Sequence, residues 1–587
     1  MSKTAQGQEQ RRLTHVFSPP ERRGFIAGWR GGQLAAVASG LFIGMVILRI
    51  YPNVAGLLIA LGVACLSIAI ATVPIYGLAA EEWLPSVIGY LVMYVQCSGR
   101  RFSAVPICGS LMTVDGNDSI VDTSKYPVHC SVGSASRVED KWRSRIAGNP
   151  TVHCSVGSAS RVGGLLSSSY PLDRYRILDV RPGGAGSTPG LAVSASNDFG
   201  SGDQSIGIVH DPLRSTYTAA FSLMPHGFLL DDPETQQQKV QSWAFALASL
   251  AREGSPVYRV QWVVRSLPGA SLDTKRYYES RRILDAGIKG YESYEEILGG
   301  IASQARRYQI YIALTMRAGS SWRGQGGGHF EFLRNKRQGS STRSSEEKIC
   351  TDLLREVAAF KRKLLDAGEE AGTIFNPESY RKCIHTGWEY DDDGMYDDGM
   401  NNDGSSTARQ AGVRYGTWPW PTAVEEHWDY IHAESRWHTS YWVSQWPRIA
   451  VPSDFLSPVL LQTGAYFNFS VVMEPIAPLK AMRQVAQART TYLADQELRR
   501  QGGFLHTDKQ KREHQALLQR EQELGEGHAQ FRFCGYARVS AGSADELSDV
   551  RHRFEQAAGQ AGIDCRKLYG RQLDALSYTL PLGEGLD

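Results

Sequence analysis

The histidine and cysteine residues of a repeated segment are the first candidates for chemistry in this sequence. The string VHCSVGSASRV occupies residues 128–138 and returns letter for letter at 152–162, giving the adjacent pairs His129/Cys130 and His153/Cys154. Imidazole and thiolate groups are the ligands that zinc prefers in proteins. The flanking sequence fixes no geometry for four ligands, and two copies are too few for a stacked repeat. The repeat therefore predicts a local duplication in a loop, and we assign no metal ligands.

An acidic run is the second candidate for a metal site. Residues 389–403, EYDDDGMYDDGMNND, hold seven acidic residues and no basic one. If Gly394 were the glycine of an EF-hand calcium loop, Met400 would stand where the bidentate glutamate belongs. Blocks of like charge are typical of solvated segments. The run therefore predicts a flexible linker, and neither a metal nor another cofactor is expected.

The catalytic motifs that a sequence can reveal are missing. No Gly-Lys dipeptide occurs, so the chain has no GxxxxGK[ST] phosphate loop, and neither HExxH nor GxSxG is present. The glycine-rich stretch 324–328 lacks the lysine of a phosphate cradle. We predict no catalytic residues, although an enzyme site assembled only in three dimensions stays an alternative.

Charge and composition argue against nucleic acid as a direct partner. The 587 residues carry 63 Lys+Arg against 61 Asp+Glu, a net charge of +2, so the global basic field that draws proteins to nucleic acid is absent. The basic residues Arg499, Arg500, Lys509, Lys511 and Arg512 alternate with the acidic residues Glu497, Asp508 and Glu513. Nine cysteines with no CxxC pair are typical of neither a disulfide scaffold nor a zinc ribbon. A hydrophobic content of 42% allows sizeable cores.

Two uncharged apolar runs near the amino terminus predict a membrane hairpin. They cover residues 34–48 and 54–80, and a bilayer core requires about 20 apolar residues per helix. We predict transmembrane helices at about 31–51 and 54–77, joined at Pro52-Asn53. Ala36, Gly40 and Gly44 form a small-residue face for packing on the second helix. A cleavable signal peptide is the competing interpretation, but its apolar core would be shorter and closer to the start.

Basic residues on both sides of the hairpin predict its orientation. Arg22, Arg23 and Arg30 precede the hairpin and Arg100 and Arg101 follow it. The positive-inside rule then places both termini in the cytoplasm and the chain in the cell (inner) membrane. The apolar stretch 83–97 is too short to span comfortably and contains Pro85. It predicts an interfacial or packed helix.

The rest of the chain predicts two cytoplasmic α+β domains. Residues 102–205 are rich in Ser and Gly and predict a linker or loop, 206–387 a first α+β domain, 388–412 the acidic linker, and 413–587 a second domain with a long helical insertion. Strands and helices alternate as in ferredoxin-like domains. Asp232 predicts the N-cap of one helix, and Ser543 with Glu546 three residues later predicts another.

Several strings resemble an actinobacterial family of integral membrane proteins encoded with type IV secretion and conjugation components. They are ERRG at 21–24, WRGGQL at 29–34, EEW at 81–83, GIVHD at 207–211, AREGSP at 251–256, WHTSYWVSQWP at 437–447, VMEP at 472–475, ADQELRR at 494–500, GGFL at 502–505 and LPLG at 580–583. The strings are spread over most of the chain outside 102–205 and 388–412. Those two regions depart from the family pattern and carry no functional inference.

The resemblance implies a fusion of two secretion components. The first is the two-helix inner-membrane subunit, and the second is the non-motor amino-terminal region of the secretion ATPase, in which a segment like 504–582 leads into the nucleotide-binding domain. Because the chain stops at Asp587, the expected function is a non-catalytic scaffold that docks a separate secretion ATPase and other channel subunits, with contacts between copies of this chain left open. The alternatives are a membrane subunit of a type VII (ESX) system and a membrane-bound enzyme with an unrecognised site.

Overall fold

The computed structural model describes residues 14–15, 31–72, 80–97, 100–102, 129–130, 154–155, 171–180, 205–224, 231–268, 293–294, 296–297, 306–318, 341–389, 419–421, 423–447, 449–462, 465–501 and 508–585. Outside these ranges lie the predicted topology residues Arg22, Arg23 and Arg30 and the acidic run from residue 390 onward. What the sequence predicts for these residues stays a prediction.

Three helices begin the described chain after a two-residue strand. The elements are β1 (Thr14–His15), α1 (Gly31–Ile50), α2 (Val54–Thr72), α3 (Ala80–Cys97) and β2 (Arg100–Phe102). α1 and α2 correspond to the predicted spans 31–51 and 54–77, of which 73–77 lie outside the described residues. α3 covers the predicted short apolar helix.

Two described residues from each of the duplicated strings pair with each other. Each contributes a two-residue strand, β3 (His129–Cys130) and β4 (Cys154–Ser155), and the two strands pair antiparallel. The predicted linker 102–205 also supplies a short 3₁₀ helix (Pro171–Arg174) and strand β5 (Arg176–Val180), which joins the main sheet. The linker prediction did not include this strand.

The first half of the sheet has the order β-α-β-β-α-β after an initial strand. Its elements are β6 (Ile206–Asp211), β7 (Thr216–Met224), α4 (Pro233–Ala248), β8 (Val257–Pro268), β9 (Arg306–Arg317), α5 (Ser341–Asp366), β10 (Glu370–Ile374) and α6 (Pro377–Trp388). β7 lies between β9 and both β6 and β10, and β8 lies outside β9.

The second half repeats this order with additional strands and an inserted pair of helices. Its elements are β11 (Ala423–Glu426), β12 (Ile431–Ala433), β13 (Arg436–Gln445), β14 (Val451–Pro452), α7 (Ser457–Gln462), β15 (Tyr466–Ile476), α8 (Pro478–Gln501), α9 (Asp508–Gly525), β16 (Gln530–Ala541), α10 (Ala544–Gln560), β17 (Asp564–Lys567) and α11 (Gln572–Tyr578). β13 lies between β16 and both β12 and β17, as β7 does in the first half. β14 pairs with β1 instead.

A ladder between β8 and β15 joins the halves into one antiparallel sheet. Phe467 pairs with Ser266 and Met473 with Val260, and the strand order runs β2-β11-β12-β13-β16-β15-β8-β9-β7-β6-β5. Side chains alternate between the two faces of each strand. On the front face α4 and α5 cover the first half, and α7 and α10 cover the second. On the rear face lie α6, α11 and residues 579–585, which we call the 579–585 segment.

Local signals predicted several elements correctly. The Asp232 carboxylate accepts a hydrogen bond from Thr235 N at the start of α4, and Ser543 Oγ accepts one from Glu546 N at the start of α10. Both predicted caps are therefore confirmed. The long helical insertion is the antiparallel pair α8 and α9 between β15 and β16, held together by Ala481, Val485 and Leu524. The chain is an α+β protein, as the sequence predicts.

Candidate membrane anchor and its junction with the sheet

Helices α1 and α2 form a closely packed antiparallel hairpin. Tyr51 N donates to Ile47 O at 2.8 Å, and Asn53 N donates to Tyr51 O at 2.8 Å, so the chain reverses within Pro52-Asn53. At 1.5 Å per residue, the 20 residues of α1 and the 19 of α2 are each about 30 Å long. The two helices run side by side from the turn.

Small residues make the contact between the two helices. Gly40 and Gly44 are buried, and a Cβ added at Gly40 would lie 2.3 Å from the Cβ and Oγ of Ser67. A Cβ at Gly44 would lie 3.4 Å from Ala60 O. Only glycine allows the backbones to approach this closely at Gly40. The third predicted packing residue, Ala36, is in α1, but its side chain is outside the described part of the chain.

The outer surface of the hairpin is aliphatic and exposed. Arg49 is the only charged residue between 31 and 72. Phe42 is 65% exposed and Met45 69%, and α2 exposes a matching set. The exposed large side chains of the hairpin are Leu41, Phe42, Ile43, Met45, Val46, Leu48, Ile50, Tyr51, Val54, Leu57, Leu58, Ile59, Leu61, Leu66 and Ile68. A contiguous apolar surface of this kind marks a membrane or protein contact.

Of the helices in the described ranges, none combines the length and the apolarity required of a membrane span.

Helix α3 joins the hairpin to the sheet through stacked aromatic rings. The Trp83 ring centroid lies 5.9 Å from that of Trp428 and 5.3 Å from that of Tyr569, and Tyr90 meets Trp428 edge-on at 5.0 Å. Trp428 and Tyr569 stack on each other at 5.9 Å. We call these four residues the aromatic clamp. Aromatic pairs add stability beyond the area that they bury, so the clamp fixes α3 against the second half of the sheet.

A glycine allows the clamp to close. Gly570 has φ +68°, which favours glycine, and its N–H donates to Trp428 O at 2.7 Å. A Cβ at Gly570 would lie 2.7 Å from the Trp428 ring and 3.1 Å from Ser86 O of α3. The close approach of α3 to this loop therefore requires a residue without a side chain.

Strand β2 provides a second attachment directly after α3. Arg100 pairs with Glu425 and Arg101 with Val424 in the ladder between β2 and β11. The two predicted topology arginines that the structure describes thus lie in the edge strand of the sheet. This strand was not predicted, because three residues carry too little periodicity to indicate a strand.

The junction continues into the rear layer. The buried Glu426 carboxylate, at the end of β11, accepts a hydrogen bond from Leu573 N at 3.1 Å, in the first turn of α11. A carboxylate is stabilised there by the free N–H groups and the dipole of the helix. α11 leads into the 579–585 segment, so the clamp, α11 and this segment form one connected path.

Buried polar side chains hold the 579–585 segment on the sheet. Arg259 Nη1 donates to Gly583 O at 3.2 Å, Gly583 N donates to Gln261 Oε1 at 2.7 Å, and Thr218 Oγ1 donates to Leu582 O at 3.1 Å. These bonds take the place of a strand ladder, since the segment has no regular secondary structure. They tie the segment to the first half of the sheet.

An ion cluster closes the end of this segment. Arg214 Nη1 lies 3.0 Å from Glu584 Oε2, and Arg174 lies 3.7 Å from the same oxygen and 3.3 Å from Asp211. Burial raises the pKa of Glu584 from its ordinary 4.5 to about 7, although Arg214 and Arg174 act in the opposite direction. The free-energy cost of removing the charged carboxylate from water therefore exceeds the stabilisation that the two arginines provide.

Two further buried arginines bond to the end of α6. Arg265 donates to Thr386 Oγ1 at 2.9 Å and to Cys383 O at 2.8 Å, and Arg538 donates to Gly387 O. These acceptors lie in the last turns of α6, where the helix dipole is negative. The two arginines therefore stabilise the end of α6, and this position gives them a structural role.

One buried pair has the residue types of a hydrolase. His438 Nδ1 lies 2.7 Å from Ser540 Oγ on neighbouring strands of the rear face. Burial, followed by the charge of Arg538, lowers the pKa of His438 well below its usual range. Both side chains are buried, so no substrate reaches the hydroxyl. Neutral His438 acts as a hydrogen-bonding core residue. Within the described residues, no group of three His, Cys, Asp or Glu side chains could hold a metal ion.

The aromatic clamp and the buried arginines were not predicted. Trp83 and Tyr90 are seven residues apart, on one side of a helix, which was the available signal for the clamp. The partners of these two rings come from distant loops that no spacing rule links to α3.

No family model matches this chain, and no curated protein matches it either.

Proposed function

We propose that the chain is a non-catalytic inner-membrane scaffold of a conjugative or type IV-like secretion apparatus that docks a separate secretion ATPase. The observation that carries the proposal is an exposed aliphatic hairpin joined to a wide sheet through the aromatic clamp and β2. A surface of this kind would be costly in water and favourable in lipid.

In this proposal the hairpin of α1 and α2 lies across the bilayer, with both termini in the cytoplasm. Packing at Gly40 and Gly44 supports it, because bilayer helices associate through small residues rather than through hydrophobic exclusion from water. The two halves of the sheet are then two ferredoxin-like platform domains. Their repeated β-α-β-β-α-β order supports this assignment.

The docking of an ATPase and other channel subunits rests on the resemblance of the sequence strings. The buried state of the Ser540 and His438 pair agrees with a scaffold role, since neither group is accessible to a substrate. Contacts between copies of the chain would add to the platform. Direct contact with nucleic acid is not part of the proposal.

Fractionation tests the anchor. The full tagged chain should stay in the membrane pellet after a carbonate wash, whereas Leu58→Asp combined with Leu61→Asp should shift it to the soluble or aggregated fraction. Leu479→Asp with Met482→Asp, on similarly exposed apolar residues of α8, is the matched control and should stay in the pellet. Extraction of the unmodified chain by carbonate would refute the anchor.

A pull-down from detergent-solubilised membranes tests the scaffold role. A type IV secretion ATPase should co-purify with the wild-type chain, and the purified chain alone should not hydrolyse ATP. Recovery of type VII components instead, or turnover of ATP that one carboxylate substitution abolishes, would overturn the proposal in favour of one of the two alternatives.

A further inference from the structure

Helix α3 has two apolar sides, and within the described residues only one of them contacts the sheet. Trp83 and Tyr90 point into the aromatic clamp. The other side exposes Ile88, Leu91, Val92 and Val95, which we call the outer face, and Val95 is 82% exposed. These four residues have the spacing i, i+3, i+4, i+7 of a single helix face. At 100° per residue, the outer face is centred roughly 140° around the helix from the clamp residues.

The outer face has the chemistry of a lipid contact. Residues 83–97 contain no charged side chain. Protein interfaces combine an apolar centre with a polar rim and about one hydrogen bond per 100–200 Å². The outer face offers aliphatic groups only, and the exposed Tyr94 lies beside it on the helix, as Tyr side chains do at membrane–water interfaces. A bilayer surface therefore matches this face better than a protein partner does.

The helix that carries the outer face also contacts the hairpin. α3 contacts both α1 and α2. A bilayer that surrounds the hairpin would therefore lie beside α3. The basic pair Arg100-Arg101 follows within a few residues. Basic residues at this distance favour a membrane surface that contains anionic lipids.

We propose that α3 is a two-sided connector that clamps the sheet on one side and inserts its outer face into the interface of an anionic bilayer on the other. This inference rests on the proposed function, because it adds a second lipid contact to the hairpin. In this arrangement, helix α3 holds the β2 end of the sheet at the membrane. With about 4.8 Å between neighbouring strands, β5 at the opposite end lies up to about 50 Å away.

Site-specific photo-crosslinking tests the inference in the full chain in native membranes. A photoreactive residue is introduced singly at Val95, at Leu58 of the hairpin, and at Phe245 of α4, which is 79% exposed on the front of the sheet. Mass spectrometry then identifies lipid adducts. We expect lipid adducts at Val95 and Leu58 and none at Phe245.

The three positions distinguish the connector role of α3 from the membrane anchor formed by the hairpin. A lipid adduct at Leu58 with none at Val95, or with only protein adducts there, overturns the connector and leaves the anchor. Absence of lipid at Leu58 overturns the anchor, and absence at both positions overturns both. Adducts at all three positions would mean non-specific reaction with lipid and would also refute the connector.

A second measurement tests the clamp. Trp428 contacts the rings of Trp83, Tyr90 and Tyr569, and each aromatic pair contributes to holding α3 in place. Trp428→Ala should raise amide hydrogen exchange in α3 about ten-fold or more. The Leu58 lipid adduct should persist in this variant. Unchanged exchange in α3 would show that the clamp does not hold it.

Discussion

Glu584 should make the protein less stable as the pH rises towards neutrality. Its pKa lies near 7 in the folded chain because of burial, against an ordinary value of 4.5. A carboxyl group whose folded pKa is raised stabilises the native state fully below the unfolded pKa, and this contribution is lost as the pH rises through the folded pKa. The difference of about 2.5, at about 1.36 kcal/mol for each unit, amounts to about 3 kcal/mol lost between pH 4.5 and 7.

The geometry of the ion cluster supports this direction. Among the described residues, Glu584 Oε2 accepts no hydrogen bond, although Arg214 Nη1 lies at 3.0 Å, so the ion pair lacks the alignment of a strong contact. In a buried ion pair without good hydrogen bonds, the attraction between the charges offsets little of the desolvation cost. A neutral glutamine should therefore replace the protonated acid with little loss and avoid the cost of ionisation.

The assay compares Glu584→Gln with wild type at pH 5, 6, 7 and 8. Urea unfolding of the solubilised full chain is followed by tryptophan fluorescence, together with amide exchange of residues 579–585, since a large chain need not unfold in one step. The two proteins should be similar at pH 5. At pH 8 the variant should be more stable by about 3 kcal/mol.

Buried histidine gives the opposite slope and makes a control necessary. The lowered pKa of His438 means that stability is lost as the pH falls below the unfolded value of 6.5, where the unfolded chain takes up a proton. Only the difference in the free energy of unfolding between variant and wild type therefore reports the contribution of Glu584. Glu253→Gln, in an exposed turn, should show the wild-type curve. Equal pH dependence of Glu584→Gln and wild type, or a variant less stable at pH 8, would refute the reasoning.

Three further substitutions test the packing. Gly40→Leu should force α1 and α2 apart and lower the aggregation temperature of the solubilised chain, whereas Ala38→Leu on the exposed side should not. Trp388→Phe removes the hydrogen bond from Nε1 to Pro419 O at 2.9 Å and should cost about 1–3 kcal/mol in urea unfolding, and an unchanged midpoint would contradict the assignment. Phe554→Ala, in the buried front layer, should cost about 3–5 kcal/mol by the same assay, and a loss below about 1 kcal/mol would contradict its core position.

Elements with a local signal could be predicted from the sequence. The caps at Asp232 and Ser543 follow from side chains that bond to N–H groups three residues later. α1 and α2 follow from uncharged runs, and the close contact at Gly40 follows from its spacing to Gly44. Each of these depends on neighbours within a few residues, so no knowledge of tertiary structure was needed.

The rear face of the sheet could not be predicted, because its pattern is that of a solvent-exposed surface. Arg259, Gln261 and Arg265 alternate with apolar residues along β8, as on an open sheet face. In the structure all three are buried beneath α6 and the 579–585 segment. Their hydrogen-bond partners include Gly583, for Arg259 and Gln261, and Cys383, for Arg265, all more than 100 residues away, so the local sequence gives no signal for them.

The acidic segment after α6 shows how one sheet can include both predicted domains. Trp388 is buried at the end of α6, and Trp420 is buried where the described chain resumes, within the same rear core. The bond from Trp388 Nε1 to Pro419 O joins the two flanks. A loop whose ends are held together can lengthen at a small entropic cost, since each doubling costs only about 0.6 kcal/mol. The described flanks on either side of residues 390–418 therefore meet at one place in the rear core, and the ladder between β8 and β15 joins the two predicted domains in one sheet.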